Sequence, residues 1–146
     1  MRRTVLVLGS GLCRDVPLVE LSAAFERVVL VDAVHLWPMR LRARRYRNVE
    51  LRSRDLSGAV DWLLGRVEGR VSPLADFQND GTVDLVVSAN LLSQLPLGLD
   101  GWLDADEARL ARWGEDFADR ALDWHLDDLA GFACPVCLLT DVEYRE

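Results

Sequence analysis

The sequence predicts an α/β fold in which a doubly wound, mainly parallel sheet carries helices on both faces. Two observations predict this class. Short apolar runs rich in valine and leucine alternate along the chain with segments of helical periodicity. Within the runs, successive residues are apolar, which is typical of strands that are buried on both faces. Right-handed crossovers between such strands then predict the strand order 3-2-1-4-5.

Each apolar run that is bounded by polar or helix-breaking residues is assigned to a strand. The third run alternates apolar and polar residues at first, which places it nearer an edge of the sheet. The predicted strands are 4–8, 27–32, 48–55, 83–89 and 135–144.

Helices are predicted where apolar residues recur at spacings of three and four. The first covers 16–25, with Asp15 as its N-cap and Pro17 in its first turn, where no backbone N–H is needed. The other predicted elements are a helix from Pro38 to near Tyr46, a short helix at 58–67, a loop at 69–82, and one long helix with Leu110, Trp113, Phe117, Ala121 and Trp124 on one face. The five tryptophans are expected mostly in the core.

Size and composition indicate one compact domain over residues 1–146. Half of the 146 residues are apolar, which is enough for a core, and no apolar run approaches the roughly 20 residues of a membrane span. The N-terminal apolar run is too short for a signal peptide, so we expect a cytoplasmic protein. The three cysteines are expected to be free thiols.

The net charge of −7 is unevenly distributed along the chain. Residues 1–75 carry 13 Arg and 8 acidic residues, whereas residues 76–146 carry 4 Arg and 16 acidic residues. The acidic total argues against a nucleic-acid partner, because neutralisation of phosphates supplies most of that affinity. One basic cluster is interpreted as a solvated helix face. It comprises Arg40, Arg42, Arg44, Arg45 and Arg47.

A glycine pair follows the first strand directly, in the segment GSGLCRD. Gly9 and Gly11 permit a sharp turn and let a ligand approach bare backbone. Asp32 ends the second strand 21 residues after Gly11, where a carboxylate accepts both hydroxyls of a ribose. The first and fourth strands end where the winding of the sheet reverses, so we expect Asn90 and its neighbours to face the glycines.

Two other side chains near this edge have alternative interpretations. Asp55, which follows the third strand, accepts a hydrogen bond from an adenine amino group or caps the short helix that follows, and the sequence leaves both open. His35 lies three residues after Asp32. We interpret it as an exposed loop histidine in preference to a general base.

The remaining candidates for chemistry have structural interpretations. His125 is expected to pair with Asp128 on a helix surface. Cys134 and Cys137 lead into a strand rather than a helix, and four soft zinc ligands are not evident. We therefore interpret both cysteines as small residues in a core strand and predict no metal site.

The succession VLVLGSG, VVLVD, SRDL and DLVVSANLLSQLP resembles the motifs of class I S-adenosylmethionine-dependent methyltransferases over about residues 4–96. In that family the glycine loop holds the methionine portion of the cofactor, and the acids after the second and third strands meet the ribose and the adenine. The resemblance implies S-adenosylmethionine as cofactor and indicates no catalytic residue. It implies a cofactor site made of Gly9, Ser10, Gly11, Asp32, Ala33, Asp55, Leu56 and Asn90.

The chain departs from the family pattern in three places. Val7 stands where the family has an acid, and Cys13 stands where it often has a third glycine. Asp15 replaces the lost acid by contacting the cofactor, or it caps the first helix as predicted above. The sequence also stops at Glu146, before the antiparallel hairpin that usually completes the sheet. We expect an open edge at the fifth strand, which invites pairing into a homodimer.

Three functions follow from these observations. The first is an S-adenosylmethionine-binding methyltransferase-like protein that acts on a small molecule, with Trp102 and the segment 96–104 as a lid over the acceptor. The second is a non-catalytic module of the same fold that binds a nucleoside or dimerises. The third is an NAD-dependent oxidoreductase, which is disfavoured because Arg14 occupies the third glycine position of the dinucleotide fingerprint.

Overall fold

A computed structural model describes residues 1–141 and contains one five-stranded sheet. The strands are β1 (Arg2–Leu8), β2 (Phe25–Asp32), β3 (Val49–Ser53), β4 (Val83–Ala89) and β5 (Val136–Leu139). All neighbouring pairs are parallel, and their order is β3-β2-β1-β4-β5. The predicted fold class and strand order are confirmed. Part of the predicted 135–144 strand lies outside the described residues.

Seven helices are present in residues 1–141. They are α1 (Leu18–Ala24), α2 (Trp37–Ala43), α3 (Val60–Leu63), α4 (Ala75–Gln78), α5 (Leu91–Asp104), α6 (Glu107–Trp113) and α7 (Phe117–Ala130). No helix in the described part of the chain has the length and apolar character needed to cross a membrane.

Strands β1, β2 and β4 are buried on both faces over most of their length, which explains their continuous apolar runs. Val5 and Val7 of β1 pack on one face with Leu18 of α1, whereas Leu6 and Leu8 pack on the other face with residues of α4, α5 and α7. Complete burial of each such side chain stabilises the fold by about 1.5–3 kcal/mol. The sheet therefore fixes the carboxyl ends of β1, β2 and β4, from which the site is built.

A third, largely aromatic cluster joins the helices on one side of the molecule. Trp62 of α3 packs edge-on against Trp113 of α6 at 5.0 Å, and Phe117 packs edge-on against Trp124 within α7 at 5.5 Å between ring centroids. Leu103 of α5 is buried in the same cluster, so α5 is fixed on this side. Trp37, in contrast, is exposed, and its expected place in the core is wrong.

Several predicted helices differ in extent. The predicted long helix is two helices, because Gly114 ends α6 with a φ of +86° before α7 begins. The predicted loop at 69–82 contains α4, and the helix predicted at 58–67 covers only Val60–Leu63. The segment 96–104 belongs to helix α5.

Candidate functional site

Gly9 brings the ends of β1 and β4 together. Its φ is +70°, and its N–H donates to the carbonyl of Val31 at 2.9 Å. A Cβ at this position would lie 2.6 Å from the carbonyl oxygen of Ala89 and 2.7 Å from Leu91 Cγ. Only glycine accommodates both this dihedral angle and this close approach.

Asp32 is tied directly to the glycine turn. Its Oδ2 accepts a hydrogen bond from the N–H of Gly11 at 2.7 Å, and its Oδ1 accepts one from the N–H of Ala33 at 2.7 Å. An ionised carboxylate has about four acceptor positions, so each oxygen keeps one for a further donor. The carboxylate is half-buried and lines a cavity.

Cys13, which follows the glycine pair, adopts the conformation that favours glycine. Its φ is +50°, and its N–H donates to the carbonyl of Ser10 at 2.7 Å. Burial raises the pKa of its thiol to about 11. Arg42 donates to the carbonyls of Leu12 and Cys13 at 3.0 and 3.3 Å. Arg42 therefore holds the loop, and the prediction that it belongs to a solvated helix face is wrong.

Asn90 and Asp15 meet across the glycine loop. Asn90 has a φ of +58°, and its Nδ2 donates to Asp15 Oδ2 at 3.0 Å. Asp15 makes no capping hydrogen bond to α1, whose N-cap residue is Pro17. The predicted capping role of Asp15 is therefore wrong, and its carboxylate faces the site instead.

A cavity of about 370 Å³ lies beside Asp32 and between α3 and α5; it is called the large cavity here because it exceeds its neighbour over the glycine loop. Asp32 and Asp55 contribute carboxylates to its wall, and Ala33, Leu56 and Trp102 contribute apolar surface. Among the residues that the structure describes, no arginine or histidine lines it. Its character is that of an apolar slot with carboxylate acceptors, which suits a neutral heterocycle bearing hydroxyl groups.

A second cavity of about 300 Å³, here called the loop cavity, lies over the glycine loop. Gly9, Ser10, Gly11, Asp15 and Asn90 all line it. Ser10 is buried, and its Oγ has no hydrogen-bond partner within residues 1–141. A polar ligand in the loop cavity would supply the partner that this hydroxyl lacks.

Gln94 of α5 lines both cavities, which therefore adjoin as one groove. The sequence analysis did not select this residue individually, although it lies within the LLSQLP run. Every predicted cofactor-site residue lines one cavity or the other: Gly9, Ser10, Gly11 and Asn90 line the loop cavity, and Asp32, Ala33, Asp55 and Leu56 line the large cavity.

Asp55 has hydrogen bonds to the turn that precedes α3. Its Oδ1 accepts from the N–H and the Oγ of Ser57 at 2.9 and 2.6 Å, and its Oδ2 accepts from the N–H of Val60 at 3.0 Å. The carboxylate thus stabilises the first turn of α3. One acceptor position on Oδ2 stays free toward the large cavity.

Neither His35 nor His125 lines the groove that the described residues form. His35 is only 4 % exposed, and its Nε2 is 2.9 Å from the carbonyl oxygen of Arg52, so the exposed-loop prediction is wrong. His125 is 1 % exposed and hydrogen-bonds Ser88 Oγ at 2.8 Å, so the predicted surface pair with Asp128 is also wrong. Burial lowers the pKa of His125.

The prediction that both C-terminal cysteines lie in the core is wrong for Cys137, whereas Cys134 packs against a core cluster. Cys137 is exposed on β5, and Cys134 is half-buried with its pKa raised by burial. Both are free, like Cys13. Within residues 1–141, no group of three His, Cys, Asp or Glu side chains is arranged to hold a metal ion.

Comparison with known proteins supports the fold. No family model and no curated protein matches this chain. The chain is similar to a solved structure described as "DhpI-SAM-HEP complex", a SAM-dependent methyltransferase, with a TM-score of 0.54 and 20 % identity over 99 % of this chain and 49 % of that one. The chain thus spans about half the length of that protein. At this identity, the likeness shows a Rossmann-like α/β fold.

Proposed function

We propose that this chain binds S-adenosylmethionine in the groove and is a methyltransferase-like protein that acts on a small molecule. The observation that carries the proposal is the position of Asp32. Its carboxylate is joined to the glycine turn by a 2.7 Å hydrogen bond and lines the large cavity at the carboxyl ends of the strands. Ligands of open α/β sheets bind at this edge, where the winding direction reverses.

The free acceptor positions define how the cofactor would bind. The two on Asp32 match the two hydroxyls of a ribose, and the one on Asp55 matches an adenine amino group. Ala33 and Leu56 offer apolar surface to the adenine. We place the methionine portion in the loop cavity, where Ser10 Oγ needs a partner.

Methyl transfer in this groove would rely on positioning. S-adenosylmethionine, when bound, would supply the methyl group, and the residues of the groove would hold it and the acceptor in place. Holding the acceptor in line with the sulfonium supplies most of the rate enhancement. We place the methyl group near Gln94, because this residue lies where the two cavities adjoin.

Isothermal titration calorimetry with S-adenosylmethionine tests the proposal. We expect Asp32→Asn to weaken binding by about a hundredfold, because two hydrogen bonds to a charged group are lost at roughly 1.5 kcal/mol or more each. The matched control is Asp123→Asn, an exposed carboxylate on α7 outside both cavities, which should leave the affinity unchanged. Equal affinity in wild type and Asp32→Asn would refute the ribose role.

A second candidate function is a non-catalytic module that binds a nucleoside or forms a homodimer. Two observations favour it: no histidine lines the groove in residues 1–141, and Val7 is fully buried where the family has an acid. Val136 and Leu138 of edge strand β5 are exposed, which offers a surface for a second copy.

Three titrations separate the candidates. Heat on mixing with S-adenosylmethionine or S-adenosylhomocysteine supports the methyltransferase-like proposal. No heat at millimolar ligand, together with a dimer in sedimentation equilibrium, supports the interaction module. Enhanced NADH fluorescence on mixing would instead support the nicotinamide-dependent oxidoreductase.

A further inference from the structure

A third cavity, here called the edge cavity, lies between α2 and the edge strand β3. Its volume is about 440 Å³, and it shares no lining residue with the large cavity or the loop cavity. Alternate residues of β3 form its floor, and α2 with the segment after it forms the other wall. The lining residues used below are His35, Arg40, Arg44, Tyr46, Val49 and Ser53.

Two guanidinium groups at the edge cavity have no carboxylate partner within residues 1–141. Arg40 and Arg44 are both exposed and form no ion pair there. Arg40 donates its Nε to the carbonyl of His35 at 2.9 Å, which leaves its terminal nitrogens free. The acid on the same strand, Glu50, is already paired with Arg27 at 2.8 Å. The edge cavity therefore carries positive charge that the fold does not neutralise.

His35 adds an independent observation on the wall of the same cavity. A carbonyl oxygen only accepts hydrogen bonds, so the contact between Nε2 and the carbonyl of Arg52 means that Nε2 donates. Nδ1 of His35 has no hydrogen-bond partner among the described residues, although His35 is only 4 % exposed. His35 lines the edge cavity, and in a neutral ring its Nδ1 is an acceptor, to which the P–OH of a protonated phosphate group can donate.

We propose that the edge cavity binds the phosphate group of a small molecule. The guanidinium groups of Arg40 and Arg44 are planar, and each can donate two parallel hydrogen bonds to the oxygens of a phosphate group. Tyr46 and Ser53 also line the edge cavity, and their hydroxyls can donate to the same group. Val49 supplies apolar surface for the rest of the ligand. This site is separate from the proposed cofactor groove.

The test uses inorganic phosphate as the probe in isothermal titration calorimetry, with ionic strength held constant by exchanging chloride. We expect one site in the wild type. Arg44→Gln should weaken binding by about tenfold, because a charge-assisted hydrogen bond is lost. Tyr46→Phe should weaken it by about threefold, as expected for a neutral hydrogen bond.

Arg45→Gln is the matched control. It removes the same charge from the neighbouring position, but Arg45 is exposed and does not line the edge cavity, so phosphate affinity should not change. The absence of a saturable signal in the wild type would overturn the proposal. Equal weakening by Arg44→Gln and Arg45→Gln would also overturn it, because the anion would then sense only a diffuse basic surface.

Two further measurements distinguish phosphate binding at the edge cavity from nucleic-acid binding and from cofactor binding in the groove. A single-stranded oligonucleotide that binds while inorganic phosphate does not would assign the basic surface to nucleic acid and overturn the proposal. Titration of Arg44→Gln with S-adenosylmethionine should give the wild-type affinity, because Arg44 lines neither cavity of the groove. Failure at one site is therefore distinguishable from failure at the other.

Discussion

Gly9 and Gly11 are separated by one residue and both have positive φ, but their surroundings differ. At Gly9 a Cβ would meet a backbone oxygen at 2.6 Å, whereas at Gly11 nothing lies within 4 Å of the same atom. Gly9 is thus required by packing and by dihedral angle. Gly11 is required by dihedral angle alone, and the open space over it faces the loop cavity.

This difference predicts unequal costs for the same substitution. Gly11→Ala should lower the free energy of unfolding by about 1–2 kcal/mol, the cost of a left-handed conformation for a residue with a Cβ. Gly9→Ala should lower it by about 3 kcal/mol or more, because overpacking adds to that cost. Urea unfolding followed by circular dichroism measures both variants. Equal losses of stability in the two variants would show that the backbone at Ala89 moves away from the added Cβ at no cost in free energy.

The third glycine position shows why residue identity alone is an incomplete guide to a loop. Cys13 takes a φ of +50° although its side chain disfavours that angle. Burial of its side chain and the two hydrogen bonds from Arg42 to the loop carbonyls offset the strain. Since Arg42 is 29 positions along the chain from Cys13, local sequence spacing could not reveal this support.

At the scale of elements, α7 is anchored to the segment before α4 through one buried side chain. Asp128 is 6 % exposed; its carboxylate accepts hydrogen bonds from Arg70 and, at 2.7 Å, from Ser72 Oγ. Its carbonyl accepts from Gln78 Nε2 at 2.7 Å. This one residue therefore joins α7 both to the segment before α4 and to α4 itself.

Removing the charge of Asp128 should be costly. Asp128→Asn leaves Arg70 buried without its partner, and we expect the free energy of unfolding to fall by about 3 kcal/mol. The neighbouring exposed carboxylate supplies the control, since Asp127→Asn should change stability by less than about 0.5 kcal/mol. Urea unfolding measures both.

A double variant separates loss of the ion pair from loss of shape. Arg70→Met combined with Asp128→Leu removes both charges and keeps apolar volume, so it should recover part of the stability lost in Asp128→Asn. If the double variant is less stable than the single one, the network contributes through its hydrogen bonds more than through charge compensation.

Strands and their order follow from the sequence because burial on both faces leaves a continuous apolar run. The first four predictions along the chain, 4–8, 27–32, 48–55 and 83–89, each overlap a strand of the sheet. Parallel pairing and right-handed crossovers leave few alternative orders for such runs. The carboxyl ends of β1, β2 and β4 are then neighbours, so the juxtaposition of the glycine turn with Asp32 was predictable.

Helix ends and helix surroundings are harder to predict from spacing. The apolar spacing from Leu110 to Trp124 continues across Gly114, so periodicity hid the break between α6 and α7. His125 and Asp128 have the spacing of a surface pair, but both face the interior of the molecule. Which polar side chains are buried depends on how α7 packs against β4, and no local pattern encodes that contact.

At the scale of the whole molecule, positive and negative charges are distributed unequally between the two halves of the sequence. The first half, which is rich in arginine, supplies β1, β2 and β3 with the helices beside them, and the acidic second half supplies α4 to α7. The edge cavity lies in the basic half, and the carboxylates of the groove face the junction between the halves. Cavities of opposite electrostatic character therefore coexist within residues 1–141.

Titration of His125 links the buried interior to the stability of the whole molecule. Burial lowers the pKa of His125 below its usual value, an effect that Asp128 opposes and Arg70 reinforces. In the unfolded chain this imidazole takes up a proton near pH 6.5, whereas in the folded protein it does so only at lower pH. Between those two values the unfolded state binds more protons, so the free energy of unfolding falls as the pH falls.

We therefore expect stability to decrease between pH 7.5 and pH 5.5 by up to about 1.4 kcal/mol per pH unit once the pH is below 6.5. Carboxylates such as Asp76 and Asp84, whose pKa values are lowered by hydrogen bonds from Arg54 and Arg3, keep their charge throughout this window. Urea unfolding at pH 7.5, 6.5 and 5.5 measures the slope. His125→Gln replaces the imidazole with an amide that can still contact Ser88 but does not titrate. The free energy of unfolding of this variant should therefore depend less on pH. An unchanged slope in that variant would show that a group other than His125 is responsible for the pH dependence.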